Sequence, residues 1–229
     1  MADIKPFCAI RYSQENITNF ICPSYDTISP SEKERLQKLS QFNIVNIEFP
    51  DQVSKNNKYK NTSELLHLWQ DEGVLVHDDI PAFYFYEQVF NDHGIKMTRR
   101  GFFAALKLEN FYSQEGSIKF YEKIFSKSKA DRLSLLKATK INISPVFGLF
   151  DDECRIVVDI CKKIAKRNIS AVAKDKDGVF HKLWAVDDNN IVKTLEKYLL
   201  NKKIFITDGC HRYETAWNYS QERKEKDKH

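Results

Sequence analysis

Apolar residues follow two rhythms along the chain, short runs or alternations in some stretches and three-and-four spacings in others, and the two kinds take turns. The N-terminal run Phe7–Arg11 predicts a strand. A Pro-containing loop, Cys22–Ser29, leads to Ser29-Pro-Ser-Glu32. That is a capping box with Pro at the first helical position, so a helix is expected over about 30–40. Between Asn43 and Phe49 the apolar positions Ile44, Val45, Ile47 and Phe49 approximate an alternation, predicting a strand that Pro50 ends. Leu65, Leu66, Leu68 and Trp69 mark a second amphipathic helix over 58–72, which Gly73 can terminate.

The next segments read as a hairpin: Ala82–Phe90 is aromatic and β-prone, Asn91–Gly94 carries turn chemistry, and Ile95–Leu108 returns. Arg99-Arg-Gly101 interrupts the returning arm and is read as a bulge with solvated edge charges. Residues 117–138 are expected to form a charged loop feeding a helix, and Ile143–Phe150 a strand around Ser144-Pro145. A helix is predicted over Cys154–Ile164, with Cys154 and Cys161 on one face as small packing residues. A second hairpin spans 169–186 around Lys176-Asp-Gly178, and a helix carrying Ile191, Leu195, Tyr198 and Leu199 follows. The alternation predicts an α/β or mixed α+β protein, with mixed sheets and flanking helices. It divides into an N-terminal α/β region over 1–110 and a second region over 111–229.

Composition narrows the class. The 229 residues suffice for a sizeable core, and 42% hydrophobic and 13% aromatic content describe a globular chain. Thirty-six basic residues against 32 acidic ones leave a scattered charge of +4, so neither a basic stripe nor a recognition helix points to nucleic acid. No stretch approaches the roughly 20 apolar residues that span a bilayer, and the N-terminus lacks the apolar core of a signal peptide. Five cysteines without a C-x-x-C pair argue against a disulfide framework or a zinc site. A reducing cytoplasm is the expected compartment, with no membrane partner and no resident metal site.

Chemistry concentrates near the C-terminus. Ile204, Phe205 and Ile206 predict a short buried strand, Asp208-Gly209 a turn, and Cys210, His211 and Arg212 the opening of a helix through Ala216 and Trp217. Backbone N–H groups at a helix start, joined by an imidazole and a guanidinium, form a phosphate cradle. The competing reading is an ordinary strand–turn–helix corner with Arg212 solvated and Cys210 packed.

Several segments together resemble the domain-of-unknown-function family 1015, whose members are similar to the superfamily of partition protein B, sulfiredoxin and the archaeal free-serine kinase. The stretches carrying the resemblance are Pro23-Ser-Tyr-Asp26, Arg99-Arg-Gly-Phe102, Glu122-Lys123, Lys129-Ala-Asp-Arg-Leu133, Ser144-Pro145, His181-Lys-Leu-Trp184 and Asp208-Gly-Cys-His-Arg-Tyr-Glu-Thr-Ala216. The chain departs from the family pattern twice: Cys210 stands at the first His of Asp-Gly-His-His-Arg, and Tyr121 at the His of a His-Glu pair. Family members are longer, which raises the expectation of a fragment or a C-terminal truncation. The resemblance implies that the C-terminal part has a partition protein B/sulfiredoxin-like fold, with Asp208, Gly209, Cys210, His211 and Arg212 holding the phosphates of ATP or ADP.

Three functions follow from the resemblance. The first is serine-kinase-like phosphotransfer from a nucleotide to a small-molecule substrate. Glu122 would be the base, His211 and Arg212 the clamp, and Asp208 a holder of Mg²⁺ or of the turn. The second is a nucleotide- or anion-binding module without catalysis. The third is ATP-dependent, sulfiredoxin-like reduction of a cysteine sulfinic acid, with Cys210 as the thiolate; a helix start beside His and Arg would lower its pKa. His181, Trp184 and Asp26 are read as structural, Asp26 as a cap of the turn before Ser29.

Overall fold

The computed structural model describes residues 1–50, 58–110, 113, 115–120 and 129–226. In chain order the first elements are β1 (Ile4–Lys5), β2 (Ile10–Tyr12), α1 (Pro30–Leu39), α2 (Val45–Glu48), α3 (Lys58–Asp71), β3 (Leu75–His77), β4 (Phe83–Asp92), β5 (Ile95–Phe103) and β6 (Ala105–Leu106). They are followed by β7 (Ile118–Phe120), α4 (Lys129–Thr139), β8 (Phe147–Leu149), α5 (Ile156–Ile164), β9 (Ala171–Lys174), β10 (Phe180–Val186), α6 (Asn189–Leu199), β11 (Ile204–Asp208) and α7 (Cys210–Lys226). The fold is α+β, with antiparallel and mixed sheets flanked by helices, as the alternation of patterns predicts. No helix among the described residues is long and apolar enough to cross a membrane.

A four-stranded antiparallel sheet in the order β5-β4-β10-β9 carries the largest core. On one face Phe83, Phe85, Trp184 and Val186 meet Val157 and Ile164 of α5 and Leu195 and Leu199 of α6. The sheet takes two strands from the first 110 residues and two from the remainder, β10 pairing with β4 from Phe180↔Val89 to Val186↔Phe83. Register between β4 and β5 is unbroken from Tyr84↔Phe103 to Asp92↔Ile95, so the bulge expected at Arg99–Gly101 is absent. The arginines have ordinary cross-strand work instead. Arg100 pairs with Glu87 at 2.7 Å, and Arg99 lies over the rings of Phe90 and Phe147.

The strand expected over 43–49 is a correction: this segment is α2, a single helical turn. Asn43 is the physical reason. Its side-chain oxygen accepts the Val45 N–H at 3.0 Å, and its Nδ2 donates to the carbonyls of Asn19 and Ile21 at 2.8 and 2.9 Å. One turn then sends Val45 to a cluster with Ile28 and Leu36, and Ile47 to another with Trp69, Leu66 and Leu75. Further along, α5 starts only at Ile156, capped by the Asp152 carboxylate on the N–H groups of Val157 and Val158. Cys154 is therefore exposed outside the helix, whereas Cys161 packs in the core.

A smaller mixed sheet, β7-β11-β8, places the C-terminal corner. β11 runs parallel to β7 and antiparallel to β8. β7 falls where the sequence predicts a charged loop; its three residues become a strand by pairing with β11. Behind this sheet Ile118, Ile204, Ile206 and Tyr213 form a core, and α4 packs against both α3 and α7.

Candidate functional site

The strand–turn–helix expected around Asp208 is present. β11 ends at Asp208, Gly209 turns the chain at φ +82°, and α7 runs 17 residues from Cys210. Arg212 is not solvated. Its guanidinium folds back over Gly209, donating through Nη2 to Asp208 Oδ2 at 2.8 Å and through Nη1 to the Pro145 carbonyl. A Cβ at position 209 would lie 2.9 Å from the guanidinium carbon, so glycine serves both the left-handed φ and the space Arg212 occupies. The Arg212 side chain is only 13% exposed, while Asp208 is 59% exposed.

The neighbouring residues divide by side. Cys210 has its sulfur 4.0 Å from the Ile206 carbonyl and packs on the core beneath the small sheet. Tyr213 is buried and exchanges hydrogen bonds with the backbone of Glu109, its Oη accepting the N–H at 2.8 Å and donating to the carbonyl at 3.2 Å. His211 Nδ1 is enclosed and has no hydrogen-bond partner among the described residues.

Beside this corner lies a partly open cavity of about 40 Å³, lined by Glu48, Arg132, Ser144, Arg212 and Thr215, with Leu135, Leu136, Ile141 and Ile143 as its apolar side. Glu48, at the end of α2, and Arg132, on α4, form a buried ion pair with side chains 4% and 8% exposed. Arg132 Nη1 donates to Glu48 Oε1 at 3.1 Å, and both terminal nitrogens reach the Glu48 carbonyl. Its remaining donors meet Asp131, and its guanidinium stacks 4.1 Å from the centre of the Tyr25 ring. Ser144 Oγ donates to Glu48 Oε1 at 2.8 Å. The second oxygen, Oε2, is enclosed with no hydrogen-bond partner among the described residues.

Burial raises the Glu48 pKa, against the lowering effects of the Ser144 hydrogen bond and of Arg132 and Arg212. Burial wins, so this carboxyl holds its proton to a higher pH than an ordinary glutamate. Burial likewise pushes the Cys22 thiol, which feels the Glu48 charge, up to about 12.

A family model described as "Protein of unknown function (DUF1015)" matches residues 4–229. The chain belongs to this family. Neither the curated proteins nor the solved structures gave a match.

Stretches of this DUF1015 chain far apart in sequence meet at the cavity or at the arginines that line it. Tyr25 comes from Pro23–Asp26, Asp131 and Arg132 from Lys129–Leu133, Ser144 and the Pro145 carbonyl from a third segment, and Arg212 from the C-terminal corner. Of the residues singled out from sequence, Asp208, Gly209 and Arg212 form one hydrogen-bonded unit, and Cys210 and His211 follow it in the first turn of α7. Glu122 and Tyr121 lie outside the described residues. His181 and Trp184 point to opposite faces of β10. Trp184 is core, and His181 joins Tyr86 and Asp175 at 2.6 and 3.2 Å.

Sequence reasoning assigned no role to Glu48, Arg132 or Ser144. For Glu48 a signal existed: it is the lone carboxylate in the otherwise apolar or neutral segment Asn43–Phe49. Among the described residues no group of three or more His, Cys, Asp or Glu side chains is arranged to hold a metal ion.

Proposed function

We propose that this DUF1015 chain binds the phosphates of ATP or ADP at the Asp208–Arg212 corner and transfers a phosphoryl group to a small hydroxyl compound, in the manner of the free-serine kinase its motifs resemble. On this reading the C-terminal part shares the partition protein B/sulfiredoxin type of fold. The observation that carries the proposal is Arg212, which sits at once in the first turn of a long helix and on the wall of a cavity containing a buried carboxylate. Amide N–H groups and a guanidinium suit phosphate oxygens; the cavity beside them suits an acceptor.

The residues fit a phosphate. Gly209 lacks the Cβ that would crowd the Arg212 guanidinium folded over the turn, and the helix start is positive in potential. Binding requires Arg212 to exchange its Asp208 carboxylate for phosphate oxygens, and leaves Asp208 available to a Mg²⁺ ion carried by the nucleotide. Mg²⁺ would supply charge neutralisation between the phosphates. His211 would donate to a phosphate oxygen; the residue that the family resemblance assigns as base, Glu122, lies outside the described residues.

A second reading, a nucleotide- or anion-binding module without catalysis, is favoured by Tyr121 and Cys210 standing where the family pattern has histidines. The sulfiredoxin-like reading has less support, because the Cys210 sulfur packs toward the Ile206 carbonyl. A phosphorus NMR assay with ATP or ADP, Mg²⁺ and a panel of small alcohols separates these readings. The kinase account predicts a new phosphate monoester, reduced about a hundredfold or more by Arg212→Ala. Nucleotide binding without any monoester would leave the binding module. A reaction that depends on the Cys210 thiol would point to the reductase.

A further inference from the structure

We infer that Glu48, in place of the Glu122 that the family resemblance assigns, is the group that receives the acceptor hydroxyl and its proton, an inference that rests on the phosphotransfer reading. The Glu48 side chain is 4% exposed, yet only one of its two oxygens is spoken for. Oε1 takes Arg132 and Ser144, while Oε2 has no partner among the described residues. A buried carboxylate oxygen left without a donor is costly, on the order of 1–3 kcal/mol. Glu48 lines the cavity, and an enclosed oxygen without a donor on a cavity-lining residue marks the position of a missing donor.

The cavity defines that donor. At about 40 Å³ it admits a hydroxymethyl group or one or two waters, and not a whole sugar or base. Leu135, Ile141 and Ile143 suit the methylene, Oε2 suits the hydroxyl, and the rest of the acceptor lies in the opening toward Arg212. Arg132 cannot take this part, since its donors are bound to Glu48 and Asp131. It fixes the carboxylate in place.

In the step, the acceptor oxygen forms a bond to the terminal phosphorus of the nucleotide. The bond from that phosphorus to its bridging oxygen breaks, and the electron pair leaves with the shortened nucleotide. The hydroxyl proton passes to Glu48 Oε2 and then to water, so the products are a phosphate monoester and a nucleotide one phosphate shorter. The groups facing Glu48 are Asp131 and Arg132 of α4, Arg212 of α7, the Ser144 hydroxyl and the Cys22 thiol. Burial outweighs the lowering by Ser144, Arg132 and Arg212 and leaves the proton affinity of this carboxyl above that of an ordinary glutamate, which favours a base.

The test uses the full chain, ATP and ADP with Mg²⁺, and L-serine, L-threonine, D-glycerate and glycerol as acceptors. Glu48→Gln keeps the shape and the Oε1 contacts. It is expected to preserve the nucleotide-induced thermal shift, weaken acceptor binding by calorimetry, and lower monoester formation about a hundredfold or more. A folded Glu48→Gln protein with turnover and acceptor binding unchanged overturns the inference. So does nucleotide binding by the native chain with none of the acceptors bound or turned over.

If Glu48→Gln does not fold, Ser144→Ala decides. Loss of the Ser144 hydrogen bond must move the acidic limb of the turnover profile to higher pH, and an unmoved limb overturns the assignment. Absence of a nucleotide shift in the native chain is a different failure: it removes the phosphotransfer reading, and this inference with it.

Discussion

Gly209 and Arg212 act as one unit: the glycine turns the chain at φ +82°, and the guanidinium lies where its side chain would be. Gly209→Ala should therefore cost stability twice, through the left-handed backbone and through displacement of Arg212. Urea denaturation is expected to show a loss of about 1–3 kcal/mol, with a smaller nucleotide-induced shift in the same variant. A variant as stable as the native chain would mean that the turn relaxes freely. The glycine was legible in the sequence because an Asp-Gly turn is a local signal. The true partners of Arg212 were not, since the Pro145 carbonyl lies 67 residues away. The partners of Glu48 were hidden for the same reason: Arg132 and Ser144 stand 84 and 96 residues away, and no local spacing reports them.

Among elements, both hairpins and the helices beginning at Pro30, Lys58, Asn189 and Cys210 follow periodicities contained within themselves, and the sequence reading locates them closely. The elements it misplaces are short. α2 has four residues, too few to distinguish a helical from a strand rhythm, and its shape comes from the buried Asn43 side chain. Asn43→Ala would leave the Asn19 and Ile21 carbonyls and the Val45 N–H without these partners. A loss of about 3 kcal/mol is expected, roughly one for each hydrogen bond. If urea denaturation finds less than about 1 kcal/mol, Asn43 does not fix the turn that carries Glu48. β7 escaped notice because it becomes a strand only against β11, 86 residues later by the Ile118↔Ile204 pairing.

On the scale of the whole molecule, alternating patterns sufficed for the α+β class. They could not say which strands share a sheet, because β10 beside β4 and β1 beside β6 are long-range pairings. Those pairings hold the framework, and the cavity forms where α2, α4, the 141–144 segment and α7 meet. The Arg132–Glu48 pair ties the first half of the chain to the second there, with the Tyr25 ring on its open face. Function at this cavity depends on phosphates binding at the start of α7 through Arg212, the claim on which both proposals stand. Thermal-shift titrations with ATP, ADP and CTP plus Mg²⁺, on the native chain and on Arg212→Ala, test it most directly. At a hundred times its dissociation constant a nucleotide should stabilise the fold by about 2.7 kcal/mol, and Arg212→Ala should abolish the shift. No shift with any nucleotide, or an equal shift in Arg212→Ala, would contradict the claim.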